Sequence, residues 1–128
     1  MTLAPARLAV LLLAVASTAA GAQSPGARVP VVPDALLHRP IALRTGIGKA
    51  HDGVSTRSVE VQALYDQGLA YLHSYVWIEA ARSFNAALAL EPRLAMAEQG
   101  LSVAYSELNR PDLSRQALAL ARSEEHTS

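Results

Sequence analysis

The side chains able to transfer protons or bind metals are few, and three histidines stand out among them: His38, His51 and His73. No two of the three are four residues apart, the spacing that brings two imidazoles to one helix face around a zinc ion. His51 is followed by Asp52 and Ser55, which a hydrolase could use as orienting acid and nucleophile. The Gly-x-Ser-x-Gly turn that exposes such a serine does not occur. The sequence therefore predicts neither a metal site nor catalysis.

A glycine-rich stretch, residues 45–56, invites comparison with loops that cradle phosphates. The P-loop requires a glycine, four residues, then Gly-Lys and a hydroxyl residue. Gly48 and Lys49 fit, but Leu43 occupies the position of the first glycine and Ala50 that of the hydroxyl residue. The dinucleotide-binding Gly-x-Gly-x-x-Gly pattern fails at its third glycine. We therefore expect no nucleotide or other cofactor and interpret the stretch as an irregular loop.

The composition excludes several further classes of protein. Lys and Arg together number 11, as do Asp and Glu, so the formal net charge is zero. A nucleic-acid-binding protein would carry an excess of positive charge on one face. No cysteine is present, which excludes disulfides, thiolate metal ligands and Cys nucleophiles. The 128 residues, 51% of them hydrophobic, suffice for one small folded domain.

The first 22 residues have the pattern of a secretory signal peptide. Arg7 precedes an apolar run over residues 8–16, and small residues lead to an Ala-Gly-Ala cleavage site that ends at Ala22. The alternative, a retained transmembrane anchor, requires about 20 strongly apolar residues, and this run has nine. We predict a bacterial periplasmic or secreted protein with no stable membrane anchor after cleavage.

Residues 23–58 are predicted to form a linker and loop because prolines recur there without a periodic apolar pattern, with a short turn at residues 34–37. From Val59 onward, apolar residues recur every three or four positions, which predicts helices rather than strands. The predicted helices span residues 59–74, 77–90 and 94–108, and a fourth runs from Pro111 to Ala121. Short turns between them predict an all-α fold of antiparallel helix–turn–helix pairs.

Similar residues recur 34 positions apart in this helical region. Such pairs are Tyr71 and Tyr105, Phe84 and Leu118, and Ala87 and Ala121. Helix–turn–helix units with this period resemble the tetratricopeptide repeat. The resemblance implies an α-solenoid over residues 59–121, with a first unit at residues 61–94 and a truncated second unit at residues 95–121.

Eight positions of the first unit carry the resemblance. The residues there are Leu64, Gln67, Gly68, Tyr71, Ala80, Phe84, Ala87 and Pro92, and only the first two depart from the family pattern. The motifs Asp66-Gln67-Gly68-Leu69 and Leu72-His73-Ser74-Tyr75 also resemble a subgroup of exported bacterial proteins with this repeat. In the second unit Glu98 stands at an aromatic position. The subgroup implies no particular biochemical activity.

In the tetratricopeptide family, the first helix of each unit lines a concave groove that binds extended peptides or partner helices. The resemblance places in that groove Gln62, Tyr65, Leu69, Leu72 and His73 from the first unit, and Met96, Gln99, Val103, Ser106 and Glu107 from the second. This face is mixed and has no Lys/Arg cluster, which disfavours a groove specific for carboxylates. In the alternative interpretation, Leu69 and Val103 only pack one unit on the next.

The last seven residues, 122–128, read Arg-Ser-Glu-Glu-His-Thr-Ser and interrupt the helical pattern. They resemble the conceptual translation of a common sequencing adapter, with all seven codons in order. The alternative is an ordinary polar tail. The adapter interpretation implies that the natural protein continues beyond Ala121, and it leaves His126 out of any functional site.

Together these features predict an exported protein-interaction module of tetratricopeptide type, with no enzymatic activity, no cofactor and a protein or peptide partner of unknown identity. The alternative is the N-terminal part of a larger secreted enzyme or sensor whose catalytic part lies downstream. A purely structural secreted protein is a third option. The DNA sequence beyond the codon for Ala121 distinguishes the first two, since it encodes either more repeats or a catalytic domain.

Overall fold

Helices form in each region where the apolar three- and four-residue spacing predicts them. The computed structural model describes residue 26 and residues 28–127, and there the chain is all-α. Its five helices are α1 (Asp34–Leu37), α2 (Val59–His73), α3 (Trp77–Leu90), α4 (Ala95–Glu107) and α5 (Pro111–Glu125). The predictions of an all-α fold and of antiparallel packing between neighbouring helices are confirmed. The predicted signal peptide, residues 1–22, lies outside the described residues, and none of the described helices has both the length and the apolar character to cross a membrane.

The ends of the helices are set by local sequence. Ser58 precedes α2, and its Oγ accepts a hydrogen bond from the N–H of Val61 at 3.2 Å, which satisfies one of the free donors of the first turn. Pro111 is the first residue of α5, where the missing N–H leaves no hydrogen bond unmade. Helix α3 ends at Leu90, two residues before Pro92. These boundaries follow from signals that can be read in the sequence.

The turns that close the two long helical pairs have the same backbone geometry. Between α2 and α3, Tyr75 has a φ of 61°, and the N–H of the next residue donates to the carbonyl of Tyr71 at 2.9 Å. Between α4 and α5, Asn109 has a φ of 55°, and the N–H of the next residue donates to the carbonyl of Tyr105 at 2.8 Å. A left-handed residue followed by a hydrogen bond back to the last turn is a common way to end a helix. We call α2–α3 the first hairpin and α4–α5 the second hairpin.

Phe84 is at the centre of the packing between the two hairpins. Its side chain is fully buried and lies between Gly68 of α2 and Gly100 of α4. A Cβ atom at either glycine would fall 2.5 Å from the ring, closer than van der Waals contact permits. Both glycines are therefore needed for the helices to approach the ring. The 34-residue spacing aligns Gly68 with Ser102, whereas the residue of α4 that contacts the ring is Gly100.

The second hairpin is packed with smaller side chains. Its buried apolar residues are Ala97, Leu101, Ala104, Tyr105, Ala117 and Ala121. Leu118, which stands 34 residues after Phe84, is 37% exposed. Hydrophobic stabilisation scales with the apolar area removed from water, so we expect the second hairpin to contribute less to stability than the first.

Residues 28–58 contain no helix or strand besides α1, yet they lie against the helices. Leu37 is fully buried, and the apolar residues of this segment that pack on the core are Val32, Ile41, Ile47 and Val54. The short turn predicted at residues 34–37 is α1. We call residues 38–54 the strap, because they contact α3 and then α2 before α2 begins. The proline pattern predicted the irregular backbone of this segment, and it did not predict these contacts.

Side chains of the first hairpin hold the strap through hydrogen bonds to its backbone. Gln67 is buried, and its side-chain amide accepts from the N–H of Arg44 at 2.7 Å and donates to the carbonyl of Ala42 at 3.2 Å. Arg82 donates to the carbonyl of Arg39 at 3.1 Å. The same guanidinium pairs with Glu79, an ion pair that the three-residue spacing on α3 predicts. The strap is thus attached at both helices of the first hairpin.

Helix α5 continues to Glu125, past the position at which the sequence pattern predicts it to end. Two side-chain contacts join its last turn to the segment around the start of α4. Arg93 donates to Glu124 at 2.6 Å, and Gln99 donates to Glu125 at 2.6 Å. The adapter interpretation concerns the coding DNA of residues 122–128 and stays a prediction.

Candidate functional site

The groove positions predicted on α2 differ widely in accessibility. Tyr65 is only 2% exposed and its ring packs against Phe84, with 5.7 Å between the centroids. Gln62 is half-buried, because its side chain accepts from the N–H of Val54 at 3.1 Å and donates to the carbonyl of Asp52 at 2.8 Å. The side chains of Tyr65 and Gln62 thus make contacts within the chain rather than lining an open groove. The other three are half-buried or exposed: Leu69, Leu72 and His73.

The groove positions predicted on α4 are more open towards the end of the helix. Met96 is half-buried and packs on the core, and Gln99 binds Glu125. Val103 is 46% exposed, a large fraction for a branched apolar side chain in a helix. The last two positions, Ser106 and Glu107, are exposed as well. The C-terminal half of α4 therefore presents an accessible surface of apolar and polar groups.

The two open sets lie at the same end of the molecule. Since α2 is antiparallel to α3 and α3 is antiparallel to α4, helices α2 and α4 run parallel and pack against each other. The open positions of both helices belong to their C-terminal halves. We call these six residues the open face: Leu69, Leu72, His73, Val103, Ser106 and Glu107. Leu69 and Leu72 also pack on the core, so the most exposed apolar side chain of this face is Val103.

The structure pairs His51 with a residue that the sequence did not point to. Its Nδ1–H donates to Oδ2 of Asp66 on α2 at 2.7 Å, whereas the sequence pairs it with Asp52 and Ser55. The hydrogen bond to Asp66, and then the charge of that carboxylate, raise the pKa of His51. Oδ1 of Asp66 also accepts from the side chain of Gln62 at 2.9 Å. This network fastens the strap to α2.

An imidazole oriented by a carboxylate is one component of many catalytic sites. In the described part of the chain, the hydrogen bond of the His51 ring goes to Asp66, and Ser55 makes no hydrogen bond with the ring. Within residues 28–127, no three His, Asp or Glu side chains are grouped closely enough to hold a metal ion. In the structure, the hydrogen bond between His51 and Asp66 attaches the strap to α2.

Glu98 is the other ionisable residue in an unusual environment. It is 8% exposed although it carries a carboxyl group, and burial followed by the nearby charge of Glu124 raises its pKa. The sequence marks it only as a departure from an aromatic position. The 34-residue period shows only that a glutamate is unexpected at position 98. The surroundings of Glu98 depend on how α2, α3 and α5 pack against α4.

Comparison with known proteins adds no family assignment. No protein-family model, no curated protein and no solved structure matches this chain at a significant level. The comparisons therefore give no support to the resemblance to tetratricopeptide repeats, which stays a prediction from the sequence.

Proposed function

We propose that this chain is an exported helical-repeat module of tetratricopeptide type that binds a protein or peptide partner and has no catalytic activity of its own. The observation that carries the proposal is the equivalence of the two hairpin turns. Tyr75 and Asn109, the two left-handed residues, are 34 positions apart, as are the acceptors Tyr71 and Tyr105. This spacing of the two turns supports the 34-residue period read from residue types.

The packing of the first hairpin supports the same proposal. Gly68 and Phe84 belong to the residues that carry the resemblance, and they contact each other at the helix crossing. Ala80 and Ala87 are buried on the same helix as Phe84. Closely packed helical hairpins require small residues where the helices cross and one large side chain that fills the remaining space.

The open face is the binding surface of this proposal. It is apolar at Leu69, Leu72 and Val103 and polar at the remaining positions, so it suits an amphipathic helix or an extended peptide. Neither lysine nor arginine is part of it, which fits a partner that is not recognised through a carboxylate. Export is supported by the apolar run and the small residues within positions 1–22.

Site-specific crosslinking of the full-length protein in the bacterium that encodes it tests the proposal. A photo-crosslinking amino acid replaces Val103 of the open face and, in a matched control, Ala119, an exposed residue of α5. We expect a discrete crosslinked partner in the periplasmic fraction from position 103 and none from position 119. Identical products at both positions, or none from position 103, would contradict the proposal.

A further inference from the structure

Gln67 on α2 forms its hydrogen bonds to the strap with backbone atoms. Its side-chain amide donates to the carbonyl of Ala42 at 3.2 Å and accepts from the N–H of Arg44, two residues further along, at 2.7 Å. A residue of a neighbouring parallel strand would pair with the same two groups, the carbonyl of one residue and the N–H of the next but one. The contact therefore depends on the backbone of the strap rather than on its side chains.

Gln62, nearer the start of α2, repeats this arrangement. Its amide donates to the carbonyl of Asp52 at 2.8 Å and accepts from the N–H of Val54 at 3.1 Å. Two glutamines of one helix thus bind the backbone of the same segment at two points. Main-chain hydrogen bonds of this kind hold a peptide with little dependence on its sequence.

The middle of the strap has few contacts of its own. Every residue from 38 to 54 is exposed or half-buried, and its apolar contacts with the core come from Ile41, Ile47 and Val54. In the described part of the chain, residues 40–53 form no hydrogen bond with other backbone groups. Segments with few buried apolar contacts open at a lower cost in free energy than the helices beneath them. The strap can therefore lift from α2 while the first hairpin stays folded.

Both ends of the strap are anchored more firmly than its middle. Just before it, Leu37 is fully buried, and its carbonyl accepts from Asn85 of α3 at 3.0 Å. Just after it, Ser58 caps α2. Lifting the strap leaves both ends attached, whereas its exchange with a second copy of the chain would first extract Leu37 from the core. This geometry favours a segment of another protein, rather than the strap of a second copy, as the replacement.

The strap also fits the surface of α2 incompletely. A cavity of about 480 Å³ lies between the two, and α2 lines it with Ala63, Ala70 and the polar side chains of Asp66 and Gln67. Well-packed protein interiors have few voids larger than a water molecule. A segment that fills this space would therefore make contacts with α2 that the strap does not make.

We propose that the strap is an autoinhibitory cover on a peptide-binding surface of α2, and that a non-helical segment of the partner replaces it by pairing its backbone with Gln62 and Gln67. The inference rests on the proposed function, because the displacing segment belongs to the proposed partner. It extends the contact from the open face to the part of α2 beneath the strap. Since the strap belongs to the same chain, it competes at a high effective concentration and weakens the binding of any segment from outside.

Binding of a fluorescently labelled peptide with the sequence of residues 38–54 to the full chain, measured by anisotropy, tests this inference. The double variant Arg44→Pro with Val54→Pro removes from the strap the two N–H groups that the glutamines bind, and it leaves α2 unchanged. We expect it to bind the peptide about tenfold or more tightly than the natural chain does. The matched control, Arg44→Ala with Val54→Ala, keeps both N–H groups and should bind the peptide nearly as weakly as the natural chain.

Changes in the peptide test the same hydrogen bonds without altering the fold of the protein. A peptide that carries Arg44→Pro and Val54→Pro should not bind the proline variant of the chain. A peptide that carries Arg44→Ala and Asp52→Ala should bind it like the natural sequence, because its backbone is unchanged. Equal affinity for the proline peptide and the natural peptide would overturn the inference, as would equal affinity of the proline and alanine variants of the chain.

Two further measurements complete the test. If circular dichroism shows that the proline variant does not fold, His51→Ala releases the strap at its hydrogen bond to Asp66 and should still raise peptide affinity, and no increase would overturn the inference. Light scattering of the proline variant should show a monomer, whereas a dimer would indicate strap exchange and would also overturn it. None of these measurements involves Val103, so a failure of crosslinking through the open face is distinguishable from a failure of peptide binding to α2.

Discussion

The first and the second hairpin have helices of similar length, 15 and 14 residues against 13 and 15, and the same turn geometry, but they differ in what covers them. Helices α2 and α3 are crossed by the strap, which buries apolar side chains against them and forms hydrogen bonds to Gln67 and Arg82. Helices α4 and α5 keep Val103 and Leu118 exposed. Positions 34 residues apart thus have unequal burial, as Phe84 and Leu118 show most clearly.

The difference concerns stability, because the open face takes residues from both hairpins whereas the buried apolar residues are larger in the first. A fully buried aromatic ring removes far more apolar area from water than a partly exposed leucine, so the first hairpin is the source of most hydrophobic stabilisation. Exposed apolar side chains grouped on one face are typical of surfaces that bind partners. Both hairpins carry exposed apolar side chains, the first at Val59, Tyr75 and Leu90 and the second at Val103, Leu118 and Leu120.

Truncation of Phe84 and of Leu118, which lie 34 positions apart, should give the largest contrast. Phe84→Ala leaves a cavity between Gly68 and Gly100, and we expect it to lower the free energy of unfolding by about 3–5 kcal/mol. Leu118→Ala should cost less than about 1 kcal/mol, because its side chain is partly exposed. Urea unfolding followed by circular dichroism measures both, and equal losses would refute the unequal contribution of the hairpins.

Loss of the strap's buried attachment should have the next largest effect. Gln67→Ala removes the partner of a backbone N–H and of a backbone carbonyl, so we expect a loss of about 1–3 kcal/mol and faster tryptic cleavage after Arg44. The matched control is Gln99→Ala, which removes an exposed contact with Glu125 and should change stability by less than about 0.5 kcal/mol. Unchanged cleavage of the strap in Gln67→Ala would show that other contacts hold it.

The second hairpin should show a pH dependence that originates in Glu98. Because burial raises the pKa of this carboxyl group, the folded chain holds more protons than the unfolded chain between the ordinary glutamate value and the raised one. Stability therefore falls as the pH rises through that window. Unfolding measured across this range should show a smaller slope for Glu98→Gln. A slope identical to that of the natural chain would place its origin in other groups.

The smallest expected effect concerns the exposed end of the strap. The pKa of His51 is raised by Asp66, so the stabilisation is fully present below the ordinary histidine value of 6.5 and is lost as the pH rises through the raised value. In an NMR titration, Asp66→Asn should move the pKa of His51 back towards 6.5. His51→Gln should remove the corresponding pH dependence of unfolding, and persistence of that dependence would assign it to another group.

Much of the helical architecture could be predicted, and the candidate sites could be predicted only in part. The spacing of apolar residues and the prolines at positions 92 and 111 predict the four long helices to within a few residues. Among the groove positions, the period alone does not reveal that Tyr65 is buried or that the side chain of Gln62 is occupied by the strap. Tyr65 is buried because it packs on Phe84 of α3, and Gln62 is occupied because it binds the strap, whose residues follow no regular spacing.

The helices, their order and their turns follow from local sequence, because helix formation and helix ends depend on residues within a few positions of one another. The position of the strap and the hydrogen bond between His51 and Asp66 depend on the tertiary structure. So do the contacts of Gly68 and Gly100 with the ring of Phe84. The cavity beside Glu98 depends on it as well. Each of these contacts joins residues that are distant in the chain. Such contacts form after the helices pack, and their partners are chosen by shape and hydrogen-bond geometry, which leave no regular spacing in the sequence.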